Sequence, residues 1–184
     1  MSGFACQCLQ LPAAEIAAVV ESCDMEKILL SALLVSFAMA QAADLSTRKS
    51  LNLAVAKQIA AAAEAEAVRN NWTVVITILD EGGNLLYAQR MDNTQIGSIE
   101  VSRAKAYSAV GFKRPTKVFE DTVVGGRQTI LKLPGALPVE GGLPLMMGDR
   151  CLGAIGISGV TSVQDGQIAK AGADEFAKIA AATK

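Results

Sequence analysis

Arg90, Lys105 and the pair Gly141-Gly142 are where this sequence offers binding chemistry. Arg90-Met91-Asp92 closes a strand-like run, where a guanidinium can meet a carboxylate through paired hydrogen bonds or rest at the surface beside an acid. Lys105 lies in Ala104-Lys105-Ala106, inside a helix of small residues. A solvated helical face is the plainer reading of it. Desolvated, its amine would be a Schiff-base nucleophile or a charge for a ligand carboxylate. Gly141-Gly142-Leu143-Pro144 turns into a strand. Two glycines there permit positive φ and leave N–H groups to face a ligand oxygen, or simply serve a tight turn.

The chemistry is narrowed by what is missing. The chain has no histidine, which removes His–Asp general-base pairs, the common zinc sites and a histidine axial ligand to haem. Ser98, Ser102 and Ser158 therefore have no imidazole to activate them, and a standard serine hydrolase is excluded. Tyr87, Tyr107, Met91, Met146, Met147 and Cys151 remain as phenolic or soft donors, each equally at home as a packing residue. Three of the four cysteines fall within the first 24 residues, so the remainder has no internal disulfide. Cys6-x-Cys8 lacks further ligands at useful spacing.

Nucleotide and nucleic-acid readings also fall away. Gly153-x-x-Gly156-x-x-Gly159 comes late in a strand and lacks the Gly-x-Gly start, and no Gly-Lys-Ser/Thr loop occurs. Close backbone packing against a helix accounts for it better. The formal net charge is −1, and Arg48-Lys49 and Lys113-Arg114 are the only adjacent basic pairs. No phosphate-neutralising surface follows from that, so no nucleic acid is expected as a partner.

The elements that would position these residues begin after an unusual start. From Met25 the chain has the form of a secretory signal. Met25-Glu26-Lys27 precedes an apolar run from Ile28 to Phe37, and Ala40 and Ala42 stand where cleavage needs small residues. Cleavage after Ala42, or alternatively after Ala40, would release a periplasmic or secreted protein. The 24 acidic-leaning residues upstream suit a true start at Met25 better than a longer leader. If residues 1–42 are retained, the location is cytoplasmic and the run from 12 to 42 reads as an ordinary helix. The apolar run is too short for a membrane span, which needs about 20 residues, and no span is expected in residues 43–184.

That second part reads as one domain. Leu51, Val55, Ile59, Ala62 and Ala65 mark a helical face. Thr73 to Leu79 is a β-branched buried strand, and Asp80-Glu81-Gly82-Gly83-Asn84 turns it into Leu85 to Arg90. A helix follows from Ser98 to Val110, stopped at Gly111, and Thr116 caps a short one through Phe119. Residues 122–142 hold room for one short strand at Thr129-Ile130-Leu131. Leu143 to Met147 and Cys151 to Ile157 form a hairpin about Gly148-Asp149. Ser162-x-x-Asp165 opens a last helix with Ile168, Gly172, Phe176 and Ile179 on one face. Strands joined by short turns, between helices, make an α+β domain on an antiparallel sheet.

From Leu45 onward the chain resembles the GlcG/HbpS family, formerly a domain of unknown function and also the C-terminal part of PduO proteins. The shared pieces occur in family order. They are Asp80-x-x-Gly83-x-Leu85, Arg90-Met91-Asp92, Ser98 ahead of Ala104-Lys105-Ala106, Phe112-x-x-Pro115-Thr116, Gly141-Gly142-Leu143-Pro144, Gly153 to Gly159, Asp165, and Ala171-Gly172. The resemblance implies a profilin-like fold, a homo-oligomer, and a pocket for haem or a related small ligand. It carries Arg90, Lys105, Phe112, Thr116, Gly141 and Gly142 over as pocket candidates. With no histidine, an iron donor would come from Thr116, Tyr107, Met91 or Cys151, and the metal ligand stays open. A small organic-acid enzyme using Arg90 and Lys105, or a sensor-partner or assembly protein, are the other functions the resemblance allows.

Overall fold

The computed structural model describes residues 47–183. The proposed signal and the start at Met25 lie outside the described residues. Among the described residues, no helix is long and apolar enough to cross a membrane.

The chain order is α1 (Leu53–Arg69), β1 (Val75–Asp80), β2 (Leu85–Arg90), α2 (Ser98–Phe112), α3 (Thr116–Val124), a 3₁₀ turn (Gln128–Lys132), β3 (Gly142–Met147), β4 (Arg150–Ser158) and α4 (Ser162–Ala182). The four strands form one sheet in the order β2-β1-β4-β3. Each neighbouring pair is antiparallel. This is the α+β architecture expected of the sequence.

Strand alternation divides the side chains between the two faces. Ile76, Ile78, Ile155, Ile157 and Leu145 point to one side, where α1 and α4 contribute Ile59, Ala63, Ile168 and Phe176 to the main core. Leu79 and Ala154 point to the other, against Ala106, Ala109 and Val110 of α2. Helix α2 also approaches the sheet where it has no side chains. A Cβ at Gly156 would run into the Ser102 carbonyl oxygen and lie 2.6 Å from the Ala106 nitrogen. At Gly153 and Gly159 an added Cβ would meet backbone oxygens of Leu79 and Thr73. The glycine series is therefore a packing surface, as its position late in a strand suggested.

Several element ends differ from expectation for local reasons. Helix α2 runs through Gly111 and stops at Lys113, which takes the left-handed conformation at φ 52°. Strand β1 starts two residues later than the β-branched run suggests. Thr129-Ile130-Leu131 is not a strand but part of the 3₁₀ turn. The α4 capping box is Thr161 with Gln164, one residue ahead of the expected Ser162 with Asp165. The buried stripe of α1 is Ala56, Ile59, Ala60, Ala63 and Ala67, because a helix this rich in alanine offers several apolar stripes and packing chooses among them.

Candidate functional site

Helix α2 turns Ser98, Ser102, Lys105, Ala106 and Ala109 toward the sheet, at steps of three and four residues. Polar members of that stripe find polar partners. Ser102 donates to the Ile99 carbonyl at 3.0 Å, so the Thr77 hydroxyl donates to the Ser102 oxygen, 2.7 Å away. Ser158 and Ser98 hydroxyls lie 3.2 Å apart. Lys105 reaches further, and its Nζ donates to Asp165 Oδ2 at 2.7 Å. The two side chains are 1% and 3% exposed. Asp165 lies in the first turn of α4, and its other oxygen accepts from the Val160 N–H at 3.2 Å. Burial pushes the Asp165 carboxyl above the usual carboxylate range, and the hydrogen bond from Lys105 pulls it partly back.

This corrects the solvated reading of Lys105. Its amine is sealed in an ion pair behind Gly141. Gly141 has φ 124°, and a Cβ there would lie 2.8 Å from Asp165 Cβ and 2.9 Å from Lys105 Nζ. Its carbonyl accepts from the Ile157 N–H at 2.9 Å, and the Gly142 N–H donates to Thr116 Oγ1 at 2.9 Å. Thr116 is fully buried. Its hydroxyl, expected to cap α3, instead ties α3 to the start of β3, and α3 has no side-chain cap.

In front of Gly141 and Gly142 lies a groove of about 600 Å³. It follows the free edge of β3, with the start of α3 on one side and α4 on the other. Pro115, Leu143, Pro144, Met146 and Ala173 give it an apolar wall, and Lys113, Lys117 and Lys170 carry its positive charge. Lys117 bonds to Asp121 at 2.8 Å, and Lys170 to Asp174 at 2.6 Å. These pairs are exposed, so solvent screens them and an incoming anion can exchange for them.

The six candidates from the sequence thus separate. Gly141 and Gly142 line the groove, and Lys105 and Thr116 stand directly behind them. Phe112 packs edge-to-face on Phe119, ring centroids 5.2 Å apart, at the joint between α2 and α3. Arg90 is exposed on β2, the opposite edge of the sheet. Three strand spacings put it about 14 Å from β3. The structure therefore does not bring Arg90 and Lys105 together, as a small-acid enzyme built on those two residues would require.

Of the soft and phenolic donors, Met146 alone lines this groove. Met91 packs against the core, and Cys151 packs beside the α2 cluster. Tyr107 lies in a separate hollow of about 370 Å³ with Glu100 and Arg103. Among the described residues, no group of three or more Asp, Glu or Cys side chains is placed to hold a metal ion. The groove lysines were not picked out in the sequence. Lys113 lies inside the shared Phe112-x-x-Pro115-Thr116 piece, Lys117 directly follows it, and Lys170 adjoins Ala171-Gly172. That adjacency was the only signal available.

Comparison with known proteins identifies the architecture. A family model described as "Haem degrading protein HbpS-like" matches residues 51–174. The chain belongs to the HbpS-like family. It is 39% identical to Protein GlcG of Escherichia coli K12 over 114 residues, 62% of this chain and 85% of that protein. The crystal structure of Klebsiella pneumoniae protein ORFY superposes with a TM-score of 0.67 at 33% identity, covering 74% of this chain and 98% of that one. A crystal structure described as a PduOC:haem complex has a TM-score of 0.63 at 27% identity, covering 69% and 95%. Members of the HbpS-like family thus share the sheet that forms this groove.

Proposed function

We propose that the protein binds haem or a related tetrapyrrole in the groove along β3. One observation carries this reading: an apolar wall faced by three lysine ammoniums, which outnumber the carboxylates of Glu140 and Asp174, in a volume suited to a small organic ligand. A tetrapyrrole has a flat apolar face and carboxylates at one side. Leu143, Pro144, Met146 and Ala173 would meet the face, and Lys113, Lys117 and Lys170 the carboxylates. The donors present fit such a ligand held mainly by these contacts, with the Met146 thioether the one soft donor at the groove. The relative whose structure is described as a haem complex supports the same ligand class.

Haemin titration followed by absorbance tests it. Affinity in the micromolar range is expected, about −8 kcal/mol, without the low-spin bands of a bis-nitrogen complex. Charge reversal at two exposed groove positions, Lys113→Glu with Lys170→Glu, should weaken binding by roughly a hundredfold, about tenfold for each lost charge-assisted contact. Arg90→Ala, at the far sheet edge, should leave binding unchanged. Equal affinity in the charge-reversed protein would remove the groove as the site.

The protein is further proposed to be exported, with Ala43 or Gln41 as its mature N-terminus, and to assemble into an even-numbered homo-oligomer, as two-fold interfaces are common. N-terminal sequencing of protein from its host tests the first. Retention of residues 1–42 would overturn it. Light scattering tests the second, and a monomer at micromolar concentration would overturn that.

A further inference from the structure

Glu140 stands at the mouth of the groove, immediately before Gly141. Its carboxylate lies flush on α4 at Gly166, where an added Cβ would collide with it. Its backbone N–H is held by the Glu120 carboxylate. Its side chain is only 18% exposed, yet among the described residues no donor comes within hydrogen-bonding distance of its oxygens. Its one cation close by is Lys117 of α3, 3.9 Å away.

That position is electrostatically crowded. From α3 it faces Lys117, Glu120 and Asp121, and from α2 the sealed Lys105 behind Gly141. Lys170 and Asp174 of α4 complete the groove wall. Burial pushes the Glu140 carboxyl up, and Glu120 and Asp121 push the same way against the pull of Lys117 and Lys105. Lys117 already serves Asp121 and Glu140. A ligand carboxylate entering there adds another negative charge to the set, and Glu140 is the partly buried member with no donor of its own.

We propose that Glu140 is a specificity-determining residue of the groove: it competes with an incoming ligand carboxylate for Lys117, and its carboxylate draws a proton from solvent in part of the complexes when that carboxylate binds. The protonated side chain then presents an O–H that can donate to the ligand carboxylate. Ligands with a carboxylate are accepted with proton uptake, and analogues lacking one bind without it. The inference rests on the groove being the ligand site.

The sign follows from linkage. The complex holds more protons than the free protein, so affinity for a carboxylate ligand rises as pH falls from neutrality toward the raised value of Glu140, which lies above 4.5. Haemin is the probe, with haemin dimethyl ester as its counterpart without carboxylates, and the full chain is titrated between pH 6 and 8. Calorimetry in two buffers of different ionisation enthalpy counts the protons. Wild type should take up a fraction of a proton with haemin and none with the ester. Glu140→Gln should abolish the uptake, flatten the pH dependence and tighten haemin binding roughly threefold to tenfold at pH 7.5, by removing a competing like charge. Proton uptake equal in wild type and Glu140→Gln, or weaker binding by that variant, overturns the role of Glu140 and leaves the groove standing. Haemin affinity that ignores Lys113→Glu with Lys170→Glu overturns the groove and this inference with it.

Discussion

The two faces of the sheet are held by different physics. Against α1 and α4 the contact is dry and aliphatic, with Ile59, Ile76, Ile78, Ile155, Ile157 and Ile168 all fully buried. Against α2 a small apolar cluster of Leu79, Ala106, Ala109, Val110 and Ala154 is joined by glycine backbone and by buried polar groups: Thr77, Ser98, Ser102, Lys105 and Ser158. Burying apolar surface is non-directional and tolerates repacking. A buried ion pair or a carbonyl seated on a glycine has one workable geometry. Volume dominates the first face and position the second, and the positioned face is the one that ends at Gly141, Gly142 and the groove.

The largest effect that could break this contrast comes from cutting the ion pair. Asp165→Ala leaves the Lys105 ammonium buried without a partner, and about 3–5 kcal/mol of stability should be lost. Lys105→Met should cost less, because Asp165 keeps the Val160 N–H and can take up a proton. The double variant Lys105→Met with Asp165→Ala, which leaves neither charge behind, should lose less than the two single losses together. Urea denaturation of the four proteins gives the coupling energy. Additive losses would mean that the pair behaves like the aliphatic face and the contrast is wrong.

A smaller effect compares one glycine from each region. Gly156→Ala drives a Cβ into the Ser102 carbonyl and toward the Ala106 nitrogen, backbone atoms that move only if α2 lifts from the sheet. A loss of about 3 kcal/mol is expected, the upper part of the overpacking range. In Gly172→Ala on α4 the new methyl meets the tip of Ile155, at 2.6 Å from its Cδ1, with Ile59 Cγ2 and the Ile59 backbone oxygen each at a looser 3.2 Å. Those side chains can rotate, and alanine is favoured over glycine in a helix by about 1 kcal/mol, so the net change should stay within about 1 kcal/mol. Thermal melts of the two variants rank them. A Gly172→Ala loss equal to that of Gly156→Ala would erase the distinction.

The contrast also explains what could be read from the chain beforehand. Strand β2 lies at Leu85–Arg90 as the sequence suggests, because Asp80 to Asn84 carries its own turn chemistry, with Asp80 Oδ1 accepting from the Gly82 and Asn84 N–H groups. Local chemistry is visible locally. Asp165 is the opposite case. Thr161-x-x-Gln164 and Ser162-x-x-Asp165 both satisfy a capping-box spacing, and the choice falls to Thr161 while Asp165 turns inward to Lys105, sixty residues earlier in the chain. Nothing adjacent to Lys105 announces that partner, since α2 is rich in Ala and Ser and its buried stripe contrasts little with its outer face. Thr116 is similar: its hydroxyl fits a cap, but the Gly142 backbone takes it. The groove lysines were invisible because exposed charges carry no spacing rule, whereas Gly141 was legible through its positive φ, and Gly142 beside it opens β3 under the Lys105 carbonyl.

The smallest expected effect is a pH dependence confined to the positioned face. The Asp165 carboxyl is raised by burial above its value in the unfolded chain, which is close to 3.8. Between those two values the native state holds a proton that the unfolded state has released, so stability falls as pH rises through the window. The contribution is fully present below the unfolded value and is lost once pH passes the folded one. It cannot exceed about 1.4 kcal/mol per pH unit, the slope for one proton. Lys105 normally limits the window by pulling the carboxyl down. Lys105→Met removes that pull, so in this variant the falling slope should extend to higher pH than in wild type. Asp165→Asn has no proton to release and should lose the share of the slope that Asp165 contributes, leaving the share of the raised Glu140 carboxyl. Ile157→Val, on the aliphatic face, should lower stability by about 0.5–1.5 kcal/mol at every pH and leave the slope as in wild type. Urea midpoints measured from pH 4 to 8 on the four proteins separate these outcomes. A slope in Asp165→Asn equal to that of wild type would place the titrating group elsewhere and leave the ion pair as packing.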